Sequence, residues 1–377
     1  MTGGELQTPL FLTRDSRPLW TLLRHQAGLT QMQAAIAVAG VAAAGWVSYS
    51  RSNRCYPRRS RYFPPGWTWR NVVGAVDRLD ALGLIDHDRR PPGRRGTQSS
   101  FCARPDLVTL VNGICPVASL PFLPPRETII LRDRQTGDLM EYRDTAATLA
   151  MRRGVAALNA RLFVADIVPR LSGGVVRIFN DDFSSGGRFY ALGQGNWQGM
   201  SATDRARIRI DNQPVIEIDF KALHPTLLYA EAGMPPPPDP YALPDWPRPL
   251  VKKALLVLLN AATDLSARRA LASDDAMAEV ALPSTQEAFR AADALISELR
   301  QLHAPIAHAF GTDAGIRLMR QDSDLAANVL ARLAAQGIIA LPVHDSFLVA
   351  VCHADALEAA MLDAARDHGA ALCVTRK

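Results

Sequence analysis

Cysteine is scarce in this 377-residue chain. Cys55, Cys102, Cys115, Cys352 and Cys373 include no two at metal-ligand spacing, which argues against a zinc site. An odd, scattered set also argues against a disulfide framework and for a reducing compartment. Long apolar runs are missing as well. The run from Ala34 to Val47 is too short, and too rich in alanine and glycine, to span a bilayer. The polar, mixed stretch from Met1 to Arg14 does not read as a signal peptide, so the expectation is a cytoplasmic protein with no membrane partner. No internal repeat is visible. Acids are sparse between Arg51 and Arg95, where only Asp77, Asp80, Asp86 and Asp88 interrupt a cluster of arginines. The net charge of +5 is mild, but its crowding into the first third points to a polyanionic partner, above all nucleic acid. With 48% hydrophobic and 21% charged residues, the chain is not of the disordered class and has material for two or three domains.

Residues 17–48 read as helical, with Leu19, Leu22 and Leu23 followed by an alanine-rich continuation after Thr30. The arginine-, proline- and aromatic-rich stretch 51–66 reads as a loop. Thr68 is a fair N-cap for a helix in which Val72, Val73, Val76, Leu79 and Leu82 recur at helical spacing. Gly83 stops it, Leu84-Ile85 begin a strand, Asp86 to Gly96 form a basic tip, and Thr97 to Ala103 return as a second strand. Helix, glycine stop, strand, basic hairpin and strand together resemble the winged helix-turn-helix family over about residues 15–110. The resemblance implies a helix for the major groove and a basic wing for the flanking backbone. Arg70 and Arg78 would lie on the exposed helix face, with Arg89, Arg90, Arg94 and Arg95 on the wing. The alternative is a solvated face on a module that contacts protein.

A proline-rich stretch, 116–125, reads as a linker. Beyond it, Thr128–Leu131 and Leu139–Tyr142 flank a hairpin turn at Gln135–Asp138, and 144–167 is an amphipathic helix. Val175 to Tyr190 reads as strand, glycine turn, strand. There Gly186-Gly187 would let backbone approach a ligand, and Arg188 supplies a planar fork suited to phosphate. Val215, Ile216 and Ile218 form a short strand with Asp219 at its end, ahead of Leu223-His224-Pro225. A carboxylate at a strand end suits a divalent ion; Asp219 would equally serve as a helix cap. A second acidic strand end, Val343-His344-Asp345-Ser346, tips the balance toward chemistry. Between them lie a proline-dense loop at 234–249 and a helix opened by Arg248, with Lys252 four residues on and on the same face, a pair suited to a triphosphate or, as is usual for an isolated Arg/Lys pair, to a solubilising face. Residues 265–310 are helical; His303 and His308 read as structural or surface residues. Arg317 to Ala335 forms another helix, containing Gln321, and a helix over 354–368 and a short strand follow the His-Asp hairpin.

Taken in order, the glycine-arginine turn, aspartate strand, Arg-x-x-x-Lys helix, glutamine-containing helix and His-Asp hairpin resemble the palm and fingers of family A DNA polymerases and phage-type single-subunit RNA polymerases, over about residues 175–352. The Gly-Arg-Phe-Tyr and His-Asp-Ser-Phe forms are closer to the RNA polymerases. The resemblance implies an α+β fold, a polymerase-like palm with a small antiparallel sheet and a helical fingers insertion, behind an N-terminal winged helix. The expected domains are a winged helix at 1–115, a linker at 116–127, and palm and fingers with little or no thumb at 128–377. It implies that Asp219 and Asp345 are the catalytic, metal-binding pair for two Mg2+ ions, with Mn2+ as a substitute. Arg248 and Lys252 would bind the triphosphate, Arg188 and Gln321 the nucleic-acid strands, and His344 the primer terminus. His224 and Asn260 stand where those families select the sugar. Neither is the residue usual there, and Ser346 replaces a glutamate typical of the DNA enzymes, which motivates a ribonucleotide-tolerant site. The implied partners are a DNA or RNA template or primer and nucleoside triphosphates.

About 250 residues after the linker leave little room for a thumb or proofreading domain, and no DxE-type exonuclease pattern occurs in the N-terminal third. The expectation is therefore a nucleotidyltransferase making short products, by priming, gap filling or end extension. The alternatives are a DNA-binding regulator with an inactive palm-like domain, and a metal-dependent nuclease in which Asp181 and Asp182 join the two aspartates.

Overall fold

The structure, a computed structural model, describes the chain except residues 1–7, 11, 13, 57–59, 92–97, 122, 171, 172, 194, 195 and 279–283. It divides into two compact units, one built from 1–177 and 190–214, the other from 178–189 and 215–377. Mixed helices and small, mainly antiparallel sheets give an α+β architecture. Among the described residues no helix is long and apolar enough to cross a membrane.

The first unit begins with a short strand β1 (Thr8–Pro9), helices α1 (Arg17–Ala27) and α2 (Gln31–Ala43), strand β2 (Val47–Tyr49), helix α3 (Trp69–Ala81), strands β3 (Ile85–Asp88) and β4 (Ser99–Ala103), and helix α4 (Pro105–Ile114). The expected single helical stretch over 17–48 is divided. Gly28 adopts a left-handed conformation (φ 63°) that ends α1, and Thr30 forms a capping box with Gln33 that starts α2. Val47 to Tyr49 then leave the helix altogether and pair with β4, which suits their β-branched and aromatic side chains. Thr68 caps α3 by accepting from the Asn71 N–H, and Gly83 (φ 69°) turns the chain into β3, as the spacing predicts. The sheet order is β1-β2-β4-β3. Leu19, Leu23, Ile36, Val76, Leu79 and Phe101 are at most 1% exposed and form its core, into which Val117 and Leu120 from the proline-rich stretch also pack. Strand β5 (Ile129–Arg132) bridges back through Arg132 and Leu139 about the expected turn, and helix α5 (Ala146–Val164) follows its Thr145 cap.

Strand β6 (Ile167–Val168) follows. Strands β7 (Val175–Asn180) and β8 (Asp182–Ala191) form a hairpin whose central residues belong to the second unit. The turn is not at the glycines. It falls at Asp181, whose φ of 62° is a left-handed conformation that aspartate tolerates. Gly186 and Gly187 lie within β8. Short helix α6 (Ala202–Arg205) and strand β9 (Arg209–Ile210) lead into β10 (Gln213–Phe220). β9 pairs with β6 and with the first two residues of β10.

The second unit continues with α7 (Leu223–Glu231), α8 (Arg248–Asn260), α9 (Asp264–Ala272), α10 (Asp275–Ala278), α11 (Thr285–Leu302), α12 (Ala314–Ala335), β11 (Leu341–Val343), β12 (Ser346–Ala350), α13 (Ala354–Asp367) and β13 (Val374–Arg376). Here β10 is central, with β12 antiparallel on one side, β11 beyond it, and β13 antiparallel on the other. His303 is fully buried, bonded to the Tyr229 hydroxyl (3.1 Å) and the Pro240 carbonyl (2.8 Å), which confirms its structural role.

Candidate active site

The pairing of β10 with β12 positions the two candidate carboxylates. Val215, Ile216 and Ile218 favour an extended ribbon, and Ile218 is fully buried. Asp219 lies in register with Ser346, the first residue of β12, so Asp345 immediately precedes that register. The Phe220 N–H donates to the Asp345 carbonyl at 3.3 Å, closing the ends of the two strands together. The turn is made possible by His344, exposed and in a left-handed conformation at φ 55°.

The crowding of carboxylates acts on Asp345. Burial pushes the Asp345 carboxyl above the usual range, and the negative charges of Asp219 and Asp322 push it further. Asp219 Oδ2 accepts from Lys377 Nζ at 2.7 Å, while Asp219 Oδ1 is buried and meets no hydrogen-bond donor among the described residues. A buried acceptor left open is costly unless something completes it. Beside them, Glu217 is buried and accepts from the Ser346 hydroxyl at 2.7 Å.

Sequence reasoning placed Asp322 in the glutamine-containing helix without a role. In the structure its carboxylate, 2% exposed, points from α12 to Arg188, whose Nε donates at 2.7 Å. His224 Nε2 lies 3.7 Å from the same oxygen and 3.4 Å from the Arg188 guanidinium. Burial works against the Asp322 charge, but the neighbouring His224 imidazole and Arg188 guanidinium hold its carboxyl below the usual range. Arg188 and His224, 36 residues apart in sequence, thus meet the same buried carboxylate. The glycines before Arg188 approach protein: a Cβ on Gly187 would lie 2.5 Å from Phe179 and 2.8 Å from the Ser323 hydroxyl of α12.

The remaining expected residues are distributed around the same unit. Arg248 opens α8, forms an ion pair with Asp239, and stacks over the Tyr241 ring at 5.2 Å. Burial raises the Tyr241 phenol; Arg248 pulls it back, while Asp239, Asp345 and Asp219 add to the rise. Lys252, one turn along, is exposed and has no ion-pair partner among the described residues. Asn260 donates to the Leu256 carbonyl and packs against Gly315 of α12. Gln321 donates to Glu231 at 2.6 Å, and Glu231 also pairs with Arg317. In the first unit Arg70 and Arg78 are exposed on α3, Arg89 is exposed after β3, and Arg90 pairs with Asp88 at 2.7 Å. Arg94 and Arg95 lie outside the described residues. Lys377, Asp322, Glu217 and Tyr241 are the site residues that sequence reasoning missed. Asp322 had a local signal, as the neighbour of Gln321, whereas Lys377 reaches Asp219 only through the pairing of β13 with β10.

Neither a family model nor a curated protein sequence matches the chain. Among solved structures, it is similar to the POL domain of Pol1 from M. smegmatis in complex with DNA primer-template and dNTP, at 13% identity and a TM-score of 0.33. The match covers 61% of this chain and 51% of that one, and such a score does not establish a shared fold.

Proposed function

We propose that the second unit is a polymerase-type nucleotidyltransferase that adds nucleotides to a 3′ end on a DNA or RNA template, making short products. The observation that carries this reading is the meeting of Asp219 and Asp345 at adjoining strand ends, with one Asp219 oxygen buried and unsatisfied. The donor set fits a hard divalent cation such as Mg2+ or Mn2+, which prefers carboxylate oxygens. Magnesium is often held by one or two carboxylates plus substrate phosphates, and among the described residues no cluster of three or more His, Cys, Asp or Glu forms a cage. Held by Asp219 and Asp345, such ions would supply activation of the 3′-hydroxyl and stabilisation of the leaving pyrophosphate.

The chain's own residues have distinct tasks in this reading. Asp219 and Asp345 hold the ions. Arg248 and Lys252 neutralise the triphosphate from one face of α8, with Arg248 exchanging Asp239 for phosphate oxygens. Arg188, oriented by Asp322, and Gln321 contact the nucleic-acid strands. His224 and Asn260 sit beside the nucleotide sugar, and His344 positions the primer terminus. Residues 15–110 act as a winged helix-turn-helix that grips the duplex through Arg70, Arg89 and Arg90. Support for that assignment comes from the α1-α2-β2-α3-β3-β4 order and the antiparallel β2-β4-β3 pairing.

The test is product length on an end-labelled primer-template with Mg2+ and nucleotides. Nucleotide-dependent growth is expected. Shrinkage would indicate a nuclease, and binding without any change a regulator with an inactive palm; either overturns the reading. Ribo- and deoxyribonucleotides run in parallel test the sugar tolerance suggested by His224, which strict rejection of ribonucleotides would refute.

A further inference from the structure

Lys377 has no part in the reaction just described, yet it is the cation seated on Asp219. Its Nζ lies 2.7 Å from Asp219 Oδ2 and 3.7 Å from Glu217 Oε1. Its backbone is fixed: the Lys377 N–H donates to the Glu217 carbonyl at 2.8 Å, and the preceding Arg376 pairs with Asp355 and Glu358 of α13. Its side chain is not enclosed, being 48% exposed. An anchored backbone with a half-exposed stem lets the ammonium leave the carboxylate while the strand stays paired.

The residue type matters. Lysines number four in the chain (Lys221, Lys252, Lys253 and Lys377) against 42 lysines and arginines together, and most pairs that brace this unit, such as Arg188–Asp322 and Arg300–Asp264, use arginine, Lys253–Asp274 being the other lysine pair among the described residues. Arginine clamps a carboxylate with a planar fork, whereas lysine offers a point charge on a flexible stem. Among the described residues Lys377 is the cation paired with Asp219 and Glu217, while Asp322 meets Arg188 and the His224 imidazole. Arg188 is committed to Asp322, so Lys377 is the replaceable charge.

We propose that Lys377 is a tethered cation that occupies Asp219 until a divalent ion displaces it, so that metal loading and release of Lys377 are one exchange. This rests on the metal-binding reading of Asp219. The exchange breaks no covalent bond; the ammonium moves to solvent or to an incoming phosphate as the ion takes its place.

The test is Mn2+ binding, read from the paramagnetic resonance signal of free Mn2+, in full-length wild type, Lys377→Met, Lys377→Arg and Asp219→Asn, with metal-free melting curves as the folding control. Lys377→Met should bind Mn2+ roughly three- to tenfold more tightly, the scale of one half-exposed ion pair. Lys377→Arg, which keeps the charge but adds the fork, should bind no more tightly than wild type. Unchanged or weaker binding by Lys377→Met, or tighter binding by Lys377→Arg, overturns the exchange while leaving Asp219 as a metal ligand. Mn2+ binding that survives Asp219→Asn unchanged, or is absent from every variant, removes the metal reading and the exchange with it.

Discussion

Ionising Asp345 costs the fold stability. Burial and the charges of Asp219 and Asp322 raise its carboxyl, so the folded chain holds this proton to higher pH than the unfolded chain does. The contribution to stability is fully present below the ordinary carboxylate range and is lost as pH rises through the folded value. Asp345→Asn should therefore melt higher than wild type in metal-free buffer at about pH 7, with the gap closing toward about pH 4. A gap that is absent or reversed near neutrality would contradict the clustering of charge. Asp322 has the opposite sign: its lowered carboxyl stabilises above the unfolded value and loses this as pH falls. Asp322→Ala leaves the half-buried Arg188 without its counter-ion and should destabilise by about 3 kcal/mol, the lower end for a broken buried pair, in urea unfolding; a loss under about 1 kcal/mol would show that water replaces the pair. At this scale Asp219 and Asp345 were legible because each ends a short apolar strand. Asp322 and Lys377 were not, since side-chain direction on a long helix and pairing across 158 positions leave no local trace.

At the scale of elements, helix starts and stops were the most readable features. Thr68 and Gly83 bound α3, Arg248 opens α8, and Gly337 follows α12, because caps and left-handed stops act through neighbouring backbone. The β7–β8 hairpin misled, because glycine is the usual residue for a turn, yet the turn uses Asp181. Gly186 and Gly187, both at positive φ, instead let β8 press onto α12, where the Ser323 hydroxyl donates to the Gly186 carbonyl at 3.3 Å. Gly187→Ala would add a left-handed backbone penalty of about 1–2 kcal/mol and an overpacking term of about 1–3 kcal/mol against Phe179 and Ser323. Loss of about 2 kcal/mol or more is expected by chemical denaturation, and a neutral substitution would show that β8 shifts freely over α12.

For the whole molecule, the uneven charge is the property that reaches furthest. Arg70 and Arg89 are exposed in the first unit and, as phosphate contacts, would each release condensed counterions on binding duplex. Arg70→Ala with Arg89→Ala should weaken DNA binding across sequences alike and reduce the slope of log affinity against log salt by about 0.9 per contact. An unchanged slope would remove the first unit from the proposed nucleic-acid interface. The α+β class and the order of elements were legible from the chain, whereas its two units were not, because residues 178–189 and 190–214 alternate between them and contiguous reading cannot show that. Everything proposed for the second unit depends on Asp219 and Asp345 acting together. The most direct measurement is the primer-extension rate of wild type beside Asp219→Ala, Asp345→Ala and the double variant. Each single change should lower the rate by roughly 10³-fold or more, the equivalent of several kcal/mol of lost metal stabilisation, and the double change should add little because both hold the same ions. Extension by either single variant within about tenfold of wild type would contradict the shared site.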